Sequence, residues 1–149
     1  MRKAEAIIEQ LALSPHPEGG WYRETWRADA GSSGRSAGTA IHFLLEEGQR
    51  SHWHRVDADE LWLWHAGAPL TLEIADPGTA DIRTITLGGD VPGGQTPQAR
   101  VPAGAWQATT ASAGWGLVSC VVVPGFDFAG FELADPDWHP GRGPRQASV

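Results

Sequence analysis

The stretch that decides the fold is Gly48-Gln49-Arg50-Ser51-His52-Trp53-His54-Arg55-Val56-Asp57-Ala58-Asp59-Glu60-Leu61-Trp62-Leu63-Trp64-His65. Two runs of β-branched, aromatic and large apolar residues flank Asp57-Ala58-Asp59, the pattern of two strands joined by a tight connection. Strict alternation in the second run puts Glu60, Trp62 and Trp64 on one face and Leu61, Leu63 and His65 on the other. In the first run His52, His54 and Val56 share a face, opposite Trp53 and Arg55. Apolar bulk on both faces of the second run is not needed by a sheet with one wet side. It suits a barrel wall packed against a second sheet or a second subunit, so a homodimer is expected.

Working outward, the same texture recurs over residues 21–26, 39–45, 70–75, 82–87, 99–101, 106–110, 116–123 and 128–133, punctuated by Gly, Pro and Asp. About ten short strands with frequent turn signals predict an all-β sandwich or barrel. One exception precedes them. Residues 3–13 set Ala4, Ile7, Ile8 and Leu11 on one helical face, predicting a short N-terminal α-helix stopped by Ser14-Pro15-His16-Pro17-Glu18-Gly19-Gly20. No internal repeat divides the chain. Its 149 residues predict one domain over 1–135 and a flexible C-terminal tail over 136–149.

Composition narrows the function. The longest apolar run falls short of a membrane span, and the N-terminus lacks the apolar core of a signal peptide, so a cytoplasmic protein is expected. The single cysteine, Cys120, leaves no internal disulfide and sits in an apolar run with no basic neighbour, the setting of an inert core thiol. A net charge of −7 with scattered Lys and Arg argues against a nucleic-acid partner, and no membrane partner is expected. Eight tryptophans are unusual and predict flat walls in a core or a pocket.

Two motifs carry chemistry: Gly48-x5-His54-x-Val56-x3-Glu60-x6-Gly67 and Pro102-x-Gly104-x2-Gln107. They resemble the two sequence motifs of the cupin superfamily. That resemblance implies a double-stranded β-helix, a jelly-roll barrel, in which two histidines, a glutamate and a later histidine converge on one divalent metal. Here Val56 stands at the second histidine position and Gln107 at the last. His54 and Glu60 remain, and His52 could substitute only if the strand bulges. An imidazole, a carboxylate and an amide make a poor first shell for a transition metal, so no cofactor is favoured. If iron, manganese or zinc is held, the donors would be His52, His54, Glu60 and Gln107. Further segments, His16-Pro17-Glu18-Gly19-Gly20-Trp21-Tyr22-Arg23-Glu24, Val101-Pro102-Ala103-Gly104-Ala105-Trp106-Gln107 and Pro124-Gly125-Phe126-Asp127-Phe128, look like an RmlC-like cupin subfamily. The likeness runs from about Ile7 to Leu133 and implies a usually dimeric protein.

Candidate site residues follow from both readings. His54 is either a buried wall imidazole or a base facing the pocket. Glu60, expected on the same face, would fix its tautomer and raise its pKa. Tyr22, the only tyrosine, is the candidate phenolic acid. Glu18 is either a solvated turn residue or part of a loop over the barrel mouth that offers Glu18 and Arg23 to a polar ligand. Trp62 and Trp106 could stack on a ring or serve as core. Gln107 could hydrogen-bond a carbonyl, and Gln98 is a further binding candidate. These residues predict a small-molecule enzyme that isomerises, epimerises or cyclises a polar, carbonyl-containing, sugar-like or heterocyclic substrate without metal. A metal-dependent cupin oxygenase or isomerase and a non-catalytic binding module are the alternatives.

Overall fold

The computed structural model describes residues 2–141. The helix α1 (Lys3–Gln10) is followed by β1 (Ser14–Pro15), β2 (Trp21–Arg27), β3 (Thr39–Leu45), β4 (Arg50–Val56), β5 (Asp59–Gly67), β6 (Leu70–Ala75), β7 (Arg83–Leu87), β8 (Gln98–Val101), β9 (Trp106–Thr110), β10 (Gly116–Val123) and β11 (Phe131–Leu133). They form a six-stranded sheet in the order β1-β2-β3-β10-β5-β8 and a five-stranded sheet in the order β11-β4-β9-β6-β7. Every pairing between these strands is antiparallel. The result is the expected all-β jelly roll with one short helix.

The helix ends earlier than its apolar spacing predicts. Ala12 takes a left-handed φ of 54° and the Leu13 amide bonds back to the Ile8 carbonyl, which turns the chain before the Pro-Gly segment is reached. Ser14 and Pro15 then add a short edge strand rather than a loop. The apolar face of α1 covers Leu44, Trp21 and Leu117 on the outside of the larger sheet.

Between the sheets the interior is graded along the strands. At one end Phe43, Leu45, Trp62, Leu70, Leu72 and Val118 pack into a dry core. Fully burying each such side chain contributes about 1.5–3 kcal/mol. At the other end the same strands carry Thr39, Ile41, Glu60 and Val122, and the space between them stays open. A second apolar layer lies outside the smaller sheet, where Trp53 and Trp106 are covered by Trp138. Packed chain therefore extends into the stretch expected as a tail: Trp138 docks and Pro140 is buried. The remainder of that stretch, 142–149, lies outside the described residues. No helix among the described residues is long and apolar enough to cross a membrane.

Candidate functional site

The open end of the barrel is a cavity of about 540 Å³ whose lining includes His16, Glu18, Tyr22, His54 and Glu60. Three local features of the chain build it. The first is the turn at His16-Pro17-Glu18-Gly19-Gly20, where the His16 amide bonds to the Gly20 carbonyl and the Glu18 carbonyl accepts from the His52 amide. The turn lies so close to β4 that a Cβ at Gly19, whose φ is 109°, would sit 2.1 Å from the Arg50 carbonyl oxygen. Only glycine fits there, and the close approach carries Glu18 into the cavity instead of leaving it in solvent.

The second feature is a bulge in β4. Ser51 pairs with Thr109 and His54 with Gln107, so three steps on β4 oppose two on β9. Ser51 and His54 both turn inward as a result. His52 turns away, its Nε2 bonded to the Asp135 carbonyl at 2.9 Å. The expected common face of His52 and His54 is thereby corrected: the strand does bulge, and the residue it delivers is a serine. The third feature is a similar slip in β2 between Glu24 and Trp26. It adds Arg27 to the cavity face that Tyr22 and Glu24 already share by alternation, while Arg23 points outward and is exposed.

Ser51 donates a short hydrogen bond from its hydroxyl to Glu18. The Glu18 Oε1 atom then lies 3.4 Å from His16 Nδ1 and 3.5 Å from His54 Nε2. The tautomers follow from the partners. His54 Nδ1 faces the His52 carbonyl at 2.8 Å and must donate, leaving a lone pair on Nε2. His16 Nδ1 accepts from the Glu18 amide at 3.1 Å, which commits its one lone pair. The free Nε2 lone pair of His54 therefore faces Glu18 Oε1 at 3.5 Å, an arrangement that suits a neutral, protonated carboxyl. Burial independently pushes the Glu18 carboxyl up to about 8, against the opposing Ser51 hydrogen bond.

Burial likewise holds His16 down at about 4 and keeps His54 below the usual imidazole range. Glu60 opposes the fall at His54 without reversing it. Glu60 thus acts in the expected direction, but desolvation outweighs a carboxyl that is itself pushed up to about 7 by burial, and the net shift is downward. The carboxyl within ion-pairing distance of His54 is Glu18. Cys120, buried next to Glu60, is pushed well above the thiol range, as befits an inert core thiol.

Glu60 is held from behind. The indole Nε1 of Trp62 donates to Gln107 Oε1 at 2.9 Å, and Gln107 Nε2 donates to Glu60 Oε1 at 2.9 Å. This relay spends both ends of the Gln107 amide, which is 1% exposed and lies behind the cavity lining. Trp62 shares the inward face of Glu60 as expected, yet is core. Trp106 points out of the barrel into the outer tryptophan layer, stacked against Trp138 and Arg55. Gln98 is exposed, because the inward positions of β8 are Ala99 and Val101. Of the nine residues named from sequence, the cavity brings together Glu18, Tyr22, His54 and Glu60, and leaves out Arg23, Trp62, Gln98, Trp106 and Gln107.

Sequence reasoning missed His16, Ser51, Arg27 and Arg35. His16 was legible in principle, rigidly placed between two prolines. Ser51 and Arg27 were hidden by bulges that break the alternation. Phe126, Asp127 and Phe128 supply one rim, with the Asp127 side chain capping the 3-10 turn at the Ala129 amide while also lining the cavity.

The metal implied by the cupin resemblance fits poorly. Val56 offers no donor, the Gln107 amide is committed, and His52 faces away. Among the described residues no group of three or more His, Cys, Asp or Glu side chains is disposed to hold a metal ion.

The family model described as cupin superfamily (DUF985) matches residues 5–134. A crystal structure of a protein from Shewanella oneidensis is 40% identical, with 89% of this chain and 85% of that one covered and a TM-score of 0.83. A hypothetical protein from Leishmania major is 38% identical over 88% of this chain and 86% of that one, TM-score 0.79. A variant of oxalate decarboxylase from Bacillus subtilis, 16% identical over 80% of this chain and 29% of that one, TM-score 0.58, shares the fold alone. No curated protein matches the chain.

Proposed function

The chain belongs to the DUF985 family of the cupin superfamily, and from that premise we propose that it is an enzyme of metal-independent acid–base chemistry, isomerising, epimerising or cyclising a polar carbonyl compound in the barrel cavity. The observation that carries this reading is the His54 imidazole: Nδ1–H held by the His52 carbonyl, Nε2 bare, and Glu18 Oε1 at 3.5 Å. A neutral imidazole is a base without further activation, and a carboxyl that stays protonated near neutral pH is an acid.

In the proposed step His54 Nε2 takes the proton from the carbon next to the substrate carbonyl. The negative charge moves to the carbonyl oxygen, where Glu18 or Tyr22 supplies the hydrogen bond that an enolate needs. The proton then returns to a neighbouring atom. Gln107, expected to hydrogen-bond a carbonyl, acts from behind as the residue that orients Glu60. The enzyme is proposed to work in the cytoplasm as a homodimer. Half-buried Leu61, Leu63 and Val121 on the outer face of the larger sheet support the second subunit.

The test is deuterium uptake. Aldoses, ketoses and lactones are incubated with the protein in deuterium oxide and followed by NMR at the carbon next to the carbonyl. Exchange is expected in the wild type and reduced by about 10²–10⁴-fold in His54→Ala. Undiminished exchange in the variant sinks the reading. Near-stoichiometric iron, manganese or zinc in protein purified without chelator would replace it with the metal-dependent alternative.

A further inference from the structure

Resting on that acid–base reading, we infer that the substrate is hydroxyl-rich and carries no anionic group, a free sugar or sugar lactone rather than its phosphate or nucleotide ester. Two guanidiniums stand at the cavity mouth, and an anion would be expected to use them. Both are consumed. Arg27 donates through Nε and Nη2 to Glu24 at 3.2 and 2.6 Å, and through Nη2 again to the Phe126 carbonyl. Arg35 donates through Nε to the Gly125 carbonyl at 2.8 Å and through both terminal nitrogens to Asp57 at 3.1 and 2.8 Å.

Asp127 adds a third carboxylate to the same rim, close enough to act electrostatically on Arg35. The mouth is thus left with more negative than positive charge, and the deeper carboxyls, Glu18 and Glu60, supply no cation. A phosphate entering this space would meet repulsion with no free cation to offset it. The smaller polar groups of the rim are also engaged: the Ser36 hydroxyl donates to the Ala28 carbonyl and accepts from the Gly38 amide, and Thr39 Oγ1 accepts from the Phe126 amide.

What the cavity offers instead is neutral hydrogen bonding and one apolar plate. His54 Nε2, Glu18 Oε1 and the Tyr22 hydroxyl point to a ligand that both donates and accepts. Phe128, 54% exposed yet lining the mouth with Phe126 edge-on at 4.8 Å, matches the C–H face of a ring.

The experiment uses isotope-labelled full-length protein and matched pairs: glucose and its phosphate ester, uridine and its diphosphate. Shifts of the His54, Tyr22 and Phe128 signals report cavity occupancy. The uncharged member of a pair is expected to bind at least about tenfold more tightly. In the Glu24→Gln/Asp57→Asn double variant, which frees both guanidiniums, the phosphorylated members are expected to gain at least about tenfold. Tighter binding of a phosphorylated member to the wild type overturns the inference. So does the absence of shifts with every uncharged probe at any concentration its solubility allows, or a double variant with unchanged preference. Phosphate binding alongside exchange lost in His54→Ala would remove the substrate class and leave the acid–base reading intact. Preference for the uncharged probes with exchange retained in His54→Ala would do the reverse.

Discussion

The molecule has two aromatic regions, and they are built from different residues for different ends. Outside the smaller sheet Trp53, Trp106 and Trp138 form a layer closed by the guanidiniums of Arg50 and Arg55, with Trp53 and Trp106 almost fully buried. At the cavity mouth Phe126, Phe128 and Phe131 meet edge to face, and Phe128 stays exposed. The tryptophans bind the segment around Trp138 to the barrel. Phe126 and Phe128 border the space that a ligand would enter. An excess of tryptophan in the composition therefore says little about this pocket: none of the eight lines it.

The largest effect should come from the outer layer. Trp106→Ala removes a side chain 1% exposed and packed against Trp138 at 4.6 Å. A loss of about 3–5 kcal/mol in urea unfolding is expected, while the His54 signals of the folded variant keep their wild-type positions. A loss under about 1 kcal/mol would break the comparison, because the layer would then not be structural.

An intermediate effect belongs to the cavity and depends on pH. Glu18, at about 8 when folded, binds its proton more tightly folded than unfolded, so its contribution to stability is lost as pH rises above the unfolded value of 4.5 and through 8. Glu60 loses its contribution in the same way up to about 7. His16 and His54 act oppositely below 6.5, where the unfolded imidazoles bind the extra protons. Only the carboxyl contribution remains above 6.5, and stability should fall by on the order of 1–2 kcal/mol between pH 6.5 and 8. Denaturant midpoints across that range check it, and Glu18→Gln should flatten the slope. A slope unchanged in that variant would remove Glu18 as the buried acid.

The smallest effect on stability is expected at Phe128→Ala. With half its surface already in water, the change should stay within about 0.5 kcal/mol. The same variant should bind the uncharged probes about two- to tenfold more weakly, the size of one aromatic contact. A variant that unfolds readily would make the phenylalanine rim a second structural layer, and the contrast between the two regions would disappear.

Alternation and turn chemistry in the chain were enough to determine the all-β class, the short helix and most strand positions. The two motifs were enough to point to His54 and Glu60, because inward placement on an unbroken stretch of strand follows from parity alone. Glu60 and Trp62 share a face in β5 for that reason. The tertiary structure decided everything that parity cannot reach. The bulges in β4 and β2 exchange which residues face inward, bringing in Ser51 and Arg27 while turning out His52 and Trp26. Depth along a shared face separates a cavity residue from a core residue, which is why Glu60 is in the site and Trp62 is not. The partner of His54 comes from Glu18, far away in sequence, on a turn brought against β4 by Gly19. A local pattern specifies which way a side chain points from its own backbone, whereas charge, burial and proton sharing depend on what the rest of the chain places opposite it.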